Sequence, residues 1–244
     1  MLTFPKDLWL CLALLPMTVS PLLAQTQSPD PPIVFMHGNG DTAALWLTQI
    51  WRFESNGYAR DRLFAIDMKY PVARAVDATP QEGRSSTTEA MVQLSAFVSE
   101  AKRKTGVDKV ALVGNSRGAN AIRNYVKNGG GSAHVSHVVL GGGVNHGVRI
   151  SETVSVGSEF NGASEFLKQL NSGPDEVVAG VRFMTIRSDR FDKFAQPDGR
   201  FIGSAGKPTG ITYDAPALKG AENVVLAGLD HREVSFGPMA FVET

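Results

Sequence analysis

The sequence predicts an α/β fold with one mostly parallel central sheet of about six strands and helices on both of its faces. Short, almost continuous apolar runs recur along the chain, which is typical of strands covered on both sides. Helical patterns lie between these runs, and such alternation favours right-handed crossovers and a parallel sheet. The 244 residues, 43% of them hydrophobic, suffice for one large domain with a sizeable core.

Six apolar runs are the predicted strands. They occupy residues 33–36, 63–66, 110–113, 138–140, 181–186 and 224–226. The first run ends abruptly in His37-Gly38-Asn39-Gly40, as expected where a buried strand enters a tight loop.

Five helices are predicted between and after these strands, at residues 42–55, 87–105, 117–127, 163–170 and 232–241. The second has the clearest ends, because Ser86 and Glu89 form a capping box at its start and Gly106 stops it. The last is interrupted by Gly237-Pro238. Three stretches with weak periodicity are predicted to be long loops, which often carry specificity: 68–85, 141–162 and 195–221.

The first 24 residues differ from the rest of the chain. Lys6 lies in a short polar start, residues 8–15 are almost wholly apolar, and residues 22–24 offer a small residue at a plausible cleavage point. This layout predicts a secretory signal peptide. An uncleaved anchor is the alternative, but two prolines break the apolar stretch and it is short for a membrane span. We therefore expect a secreted or periplasmic protein with a single catalytic domain over residues 25–244.

Charge and cysteine content exclude several classes of partner. The chain has 24 basic and 24 acidic residues and no basic block, so neither nucleic acid nor an anionic membrane surface is favoured. Its single cysteine, Cys11, lies inside the predicted signal peptide, which leaves no disulfide and no cysteine nucleophile in the mature protein. No cluster of histidines and cysteines has metal-ligand spacing, so we expect neither a metal nor a cofactor.

The strongest chemical signal is Gly114-Asn115-Ser116-Arg117-Gly118, which follows a predicted strand and opens a predicted helix. A serine at such a turn projects its hydroxyl from the top of the sheet, and the flanking glycines let neighbouring chain approach. The helix N-terminus also favours developing negative charge. Ser116 is therefore the predicted nucleophile, and an ordinary helix N-cap is the alternative.

A serine nucleophile needs a base, and the chain has five histidines: His37, His134, His137, His146 and His231. His231 is the predicted base, because it follows the last strand and this type of site places its histidine late in the chain. His134 and His137 flank a predicted strand start, where surface or structural roles are expected. His37 is expected to shape its glycine-rich loop, although a general base is the alternative there.

The remaining parts of the site are an acid and an oxyanion hole. Asp189 and Asp192 both follow the strand at 181–186, and either carboxylate could orient the histidine, so the residues alone leave this choice open. The backbone amides of Asn39 and Arg117 are the predicted oxyanion donors, because one follows the first strand and the other follows the nucleophile.

With these pieces in order, the chain resembles the small secreted bacterial lipases and esterases of the α/β-hydrolase superfamily, including minimal forms that lack the first strands. The matching segments are residues 32–40, 63–67, 109–120, 166–173, 192–197 and 223–231. The resemblance implies an α/β-hydrolase fold. It also favours Asp192 as the acid, because such lipases place their aspartate in a segment similar to Asp192-Lys193-Phe194-Ala195-Gln196-Pro197.

The chain departs from many relatives around the nucleophile, with Asn115 before Ser116 and Arg117 after it. A charged side chain there could bind an acidic substrate group. The expected role is instead a solvated or salt-bridged Arg117 that contributes only its backbone amide. The stretch at 68–85, with Arg74 and Arg84, also looks elaborated.

Together these features predict a serine hydrolase that cleaves small-molecule or polymeric carboxylic esters through an acyl-enzyme. A polyester depolymerase, lactonase, thioesterase or amidase would use the same residues, although export disfavours coenzyme A thioesters. A binding protein without catalysis is disfavoured, because the nucleophile, the base and the oxyanion turn are all present.

Overall fold

The computed structural model describes residues 30–200, 202 and 206–244. The predicted signal peptide lies outside these residues. This part of the chain contains eight strands: β1 (Ile33–Met36), β2 (Leu63–Ile66), β3 (Val72–Ala73), β4 (Arg84–Ser85), β5 (Val110–Asn115), β6 (Val135–Gly141), β7 (Arg182–Ser188) and β8 (Glu222–Leu226). Six of them form one sheet in the order β2-β1-β5-β6-β7-β8, and every pair in it is parallel. The predicted fold class is confirmed.

The helices are α1 (Leu47–Ser55), α2 (Thr87–Thr105), α3 (Arg117–Asn128), α4 (Glu165–Leu170), α5 (Glu233–Phe236) and α6 (Pro238–Glu243). Helix α2 begins at the predicted capping box, where Ser86 and Glu89 bond each other's backbone amides. It ends at Gly106, whose φ of 70° lies in the left-handed region that favours glycine. The predicted break at Gly237-Pro238 separates α5 from α6.

The central strands are covered on both faces, which explains their continuous apolar sequences. Val34 and Met36 of β1 pack with residues of α2 and α3 in one cluster. Ile33 and Phe35, which point to the other face, pack with Trp46 and Ile50 beside α1. A smaller cluster below the last strands joins Ile186 of β7 and Leu226 of β8 to Val234 and Ala240.

Over the described residues, the long loops follow the prediction with one addition. Strands β3 and β4 form a two-stranded parallel ladder inside the stretch predicted as a loop at 68–85. Each strand has only two residues, which is too short to show any periodicity in the sequence.

The parallel arrangement brings four loops to one edge of the sheet. The segments that follow β1, β5, β7 and β8 all leave from the carboxyl ends of their strands, where ligands bind in open α/β sheets. Within the described part of the chain, no helix is long and apolar enough to cross a membrane.

Candidate active site

Ser116 lies at the sharp turn between β5 and α3. Its φ of 55° and ψ of −119° are rare for a residue other than glycine, and its side chain caps no amide of the helix. The two glycines make the turn sterically possible. A Cβ on Gly118 would lie 2.5 Å from the carbonyl oxygen of Met36, and one on Gly114 would lie 2.6 Å from Cδ1 of Ile122. This strained turn without a side-chain cap is the geometry expected of a serine in a G-x-S-x-G strand-to-helix turn, and it differs from that of an ordinary N-cap.

His231 and Asp192 form a buried pair beside this turn. Nδ1 of His231 lies 2.8 Å from Oδ1 of Asp192, which also accepts the amide hydrogen of Phe194 at 2.8 Å. Because a carboxylate only accepts, the hydrogen of the neutral ring is held on Nδ1. Nε2 has no hydrogen-bond partner among the described residues. The ring therefore keeps a free lone pair for a proton.

Ser116 and His231 line the same cavity, whose volume is about 490 Å³. Its floor includes Gly38 and Asn39 from the loop after β1. Gly38 lies directly against the nucleophile, since a Cβ built on it would be 3.0 Å from the Cβ of Ser116. The structure thus brings together the serine, the histidine and both segments predicted to form the oxyanion hole.

The loop that carries Asn39 is fixed by hydrogen bonds on both sides. Oδ1 of Asn39 accepts the amide hydrogen of Ala73 at 2.7 Å, and the amide of Gly40 donates to the carbonyl of Pro71 at 3.2 Å. His37 is buried, its Nδ1 lies 2.9 Å from the carbonyl oxygen of Gly38, and its Nε2 accepts the amide hydrogen of Met68. His37 therefore shapes the loop.

Asp189 lies on the same loop as Asp192 but has other partners. Its Oδ1 accepts the amide hydrogens of Arg190 at 2.7 Å and of Gly228 at 3.2 Å. These two hydrogen bonds lower the pKa of Asp189. Its carboxylate ties the loop after β7 to the loop after β8 and makes no hydrogen bond to His231.

The side chain of Arg117 points away from the cavity and is buried. Nε pairs with the carboxylate of Glu159, which is also buried. Burial raises the pKa of Glu159 to about 7, although Arg117 opposes the shift. The guanidinium is salt-bridged, as expected, and does not line the cavity.

Asn115 links the turn to the loop that carries the histidine, a role that the sequence did not predict. Its Nδ2 lies 2.7 Å from Oγ of Ser235, 3.1 Å from the carbonyl oxygen of Gly141 and 3.2 Å from that of His231. The sequence shows that Asn115 departs from many relatives, but its three partners are 26 to 120 residues away in the chain.

Apolar and charged side chains complete the cavity wall. Val144, Val148 and Phe160 form its apolar part. The ring of Phe194 stacks edge-on against His231, with centroids 4.6 Å apart. At the rim, Arg232 pairs with Asp41 and so joins the loops after β8 and β1.

The other histidines lie elsewhere. His134 is near Lys102 on the surface, His137 contacts Ser136, and His146 bridges the carbonyl of Ala215 and the carboxylate of Glu176. No group of three or more histidine, cysteine, aspartate or glutamate side chains in the described ranges is placed to hold a metal ion.

Comparison with known proteins identifies a matching family model and several similar solved structures. The family model for lipases of class 2 matches residues 30–196. The mature form of Bacillus licheniformis lipase BlEst2 is similar over 89% of this chain and 91% of its own, with a TM-score of 0.59 and 21% identity. A monoacylglycerol lipase of Paleococcus ferrophilus is similar over 88% of this chain and 93% of its own, with a TM-score of 0.56 and 13% identity. Aspergillus fumigatus lipase B is similar over 87% of this chain and 51% of its own, with a TM-score of 0.60 and 15% identity. At these identities the solved structures establish the fold, which is that of the α/β-hydrolases.

Proposed function

The chain belongs to the class 2 lipase family and is a hydrolase of the lipase and esterase type, and from this premise we propose that it cleaves carboxylic esters through an acyl-enzyme on Ser116. One observation carries the proposal. The imidazole of His231 is held on one side by Asp192 at 2.8 Å, while its free Nε2 shares a cavity with the strained Ser116.

In the first half of the reaction, Oγ of Ser116 attacks the ester carbonyl carbon and its proton passes to Nε2 of His231. Asp192 stabilises the imidazolium that forms. The carbonyl oxygen becomes an oxyanion, which the backbone amides of Asn39 and Arg117 stabilise by hydrogen bonds. Collapse of the tetrahedral intermediate breaks the bond to the alcohol oxygen. The alcohol leaves with the proton from His231, and the acyl group stays on Ser116.

In the second half, water replaces the alcohol. His231 accepts a proton from the water as its oxygen attacks the acyl carbon, and the same two amides stabilise the second oxyanion. Collapse then breaks the bond to Oγ, and Ser116 regains its proton from His231. The products are a carboxylic acid and the unchanged enzyme.

The cavity supports an ester with an apolar acyl group. Val144, Val148 and Phe160 offer apolar surface beside the nucleophile, while the ion pair of Asp41 and Arg232 keeps the rim polar. We also propose that residues 1–24 are a signal peptide and that residues 25–244 act as one exported catalytic domain, on the strength of the leader's composition.

The test is the Ser116→Ala variant. Because no other group supplies the nucleophile in this mechanism, kcat for p-nitrophenyl butyrate should fall by about 10⁴-fold or more. A fluorophosphonate should label the wild type at Ser116, as read by peptide mass, and should not label the variant.

Ser99→Ala is the control. Ser99 lies on the exposed side of helix α2, donates to the carbonyl of Ser95 and does not line the cavity that contains Ser116. Its replacement should leave both hydrolysis and labelling intact. Unchanged ester hydrolysis by folded Ser116→Ala would exclude the proposed mechanism.

A further inference from the structure

Phe160 lies between two neighbouring cavities. The first, of about 490 Å³, contains Ser116 and His231. The second, of about 300 Å³, is formed by described residues of the segment 148–161 and Ile202. Val148 and Phe160 line both cavities. These two side chains therefore form a partition, and an acyl chain that passed it would extend from the catalytic cavity into the second one.

The backbone of the partition is held from two directions. The amide of Val148 donates to the carbonyl of Phe160 at 2.8 Å, which couples the two residues of the partition to each other. Nδ2 of Asn120, on helix α3, donates to the carbonyl of Glu159 at 3.4 Å. Glu159 is itself buried, and its carboxylate pairs with Nε of Arg117. The residue before the partition is thus tied to the helix that starts at the nucleophile.

Arg117 is held as firmly on its other side. Its Nη1 donates to the carbonyl of Pro71 at 2.9 Å and to Oγ of Ser85 at 3.0 Å, and its Nη2 donates to the carbonyl of Ser85 at 2.8 Å. A planar guanidinium with all three nitrogens bonded has one orientation. Glu159, and with it Phe160, is therefore positioned relative to the turn that carries Ser116.

Stability alone does not account for this pair. Removing two charges from water is costly, and apolar side chains of similar volume often stabilise a protein as well or better. Burial raises the pKa of Glu159 to about 7 in spite of Arg117, with Asp77 adding to the rise, so the carboxylate is an expensive group at this position. The ion pair imposes one orientation on its neighbours, and a pair of apolar side chains would not.

We propose that the ion pair of Arg117 and Glu159 determines acyl-chain specificity, because it keeps Phe160 between the two cavities and so limits the length of chain that Ser116 accepts. The preferred substrates are esters of short acyl chains that fit the catalytic cavity alone. This inference deepens the proposed function and rests on it.

The test compares kcat/KM for p-nitrophenyl octanoate with kcat/KM for p-nitrophenyl acetate in the wild type and in Glu159→Gln. The ratio of octanoate to acetate should rise by roughly tenfold or more, since even one methylene in an apolar pocket changes selectivity by about that factor. Phe160→Ala should raise the same ratio. The variant with both changes should raise it no further than Phe160→Ala alone, because the pair acts through that ring.

Glu89→Gln is the matched control, because Glu89 also pairs with an arginine, Arg74, at 2.8 Å, but lies outside both cavities. Its ratio should equal that of the wild type. General destabilisation would lower both activities together and leave the ratio unmoved. An unchanged ratio in Glu159→Gln, or independent increases from Glu159→Gln and Phe160→Ala, would overturn the inference.

Two further measurements distinguish a folding defect from a change in specificity, and a failure of the proposed mechanism from a failure of this inference. If Glu159→Gln does not fold, Arg117→Met/Glu159→Leu takes its place, since this variant leaves no unpaired buried charge, and Phe160→Ala tests the partition directly. Ser116→Ala is assayed on both esters in parallel. Wild-type rates in that variant would remove the proposed function and this inference with it, whereas an inactive Ser116→Ala with an unmoved ratio in the other variants would remove the inference alone.

Discussion

Two buried pairs, each of a basic and an acidic side chain, lie near Ser116, and they differ in how many of their polar atoms have a partner in the protein. His231 and Asp192 share one hydrogen bond of 2.8 Å, and Nε2 of the ring is left without a partner in the described structure. Arg117 and Glu159 are equally buried, but each guanidinium nitrogen has an acceptor. We call the first pair incomplete, because Nε2 of His231 has no partner in the described structure, and the second pair complete, because each guanidinium nitrogen has an acceptor.

This difference indicates that the first pair is suited to proton transfer and that the second pair positions the residues around it. A proton acceptor needs a lone pair that no protein group has taken, and only the histidine pair offers one. Every guanidinium nitrogen of Arg117 already donates within the protein, and the side chain is buried and does not line the cavity. The side chain of Arg117 is therefore not placed to bind an acidic substrate group in the cavity, and its bonds to Glu159, Pro71 and Ser85 fix the loops around it.

The largest effect is expected where the incomplete pair is altered, in Asp192→Asn. The amide of asparagine would donate to Nδ1, which would place the ring hydrogen on Nε2 and remove the free lone pair. We expect kcat for p-nitrophenyl acetate to fall by about 10⁴-fold with the fold intact. Steady-state kinetics and a thermal melt of the same sample measure both quantities.

Asp189→Asn is the control for this prediction, because the two aspartates share a loop. Asp189 bonds the amides of Arg190 and Gly228 and does not contact the histidine. Its replacement should change kcat by no more than a few-fold on the scale of surface substitutions. Equal losses in the two variants, or a larger loss in Asp189→Asn, would reassign the acid.

The same contrast explains how much the sequence could predict. The central strands could be predicted because strands covered on both faces must be apolar throughout, and Val34 and Phe35 of β1 face opposite layers. The turn at Ser116 was readable because its glycines, strand and helix are adjacent in the chain. Local patterns therefore suffice for the scaffold and for the nucleophile.

Such local patterns do not predict contacts between residues that are far apart in the chain. The residues alone could not separate Asp189 from Asp192, because side-chain direction on that loop depends on bonds to Gly228 and His231, from other loops. Glu159 lies 42 residues from Arg117 in a stretch without periodicity. Nothing near either residue in the chain indicates that they meet.

The second prediction concerns the pH dependence of the complete pair. Burial raises the pKa of Glu159 from 4.5 to about 7, so the folded state binds this proton more tightly than the unfolded chain does. The resulting stabilisation is full below pH 4.5 and is lost as the pH rises to about 7. Between these two values the free energy of unfolding therefore falls as the pH rises.

Denaturant unfolding of the wild type and of Glu159→Gln at pH 4.5, 6 and 8 measures this contribution as a difference. Other titrating groups are common to both proteins and cancel. The stability of the wild type should fall relative to the variant as the pH rises. A difference that does not vary with pH would mean that Arg117 holds the carboxylate ionised throughout, which would contradict the raised pKa of Glu159.

The smallest effect is expected at Asn115, which precedes Ser116 and whose Nδ2 donates to groups within the protein. Its Nδ2 holds the carbonyl of His231 at 3.2 Å, so Asn115→Ala should let the histidine loop shift slightly relative to Ser116. We expect kcat to fall by about tenfold with KM unchanged, which is less than the roughly 10²-fold cost of a full ångström of misplacement. Ser235→Ala removes one partner of Asn115 and leaves its bond to His231, so its kcat should fall less. Asn115→Ala could instead lower the melting temperature and leave kcat and the pH profile of kcat unaltered. Asn115 would then act on stability alone. In that case the difference between the two buried pairs would depend only on Nε2 of His231.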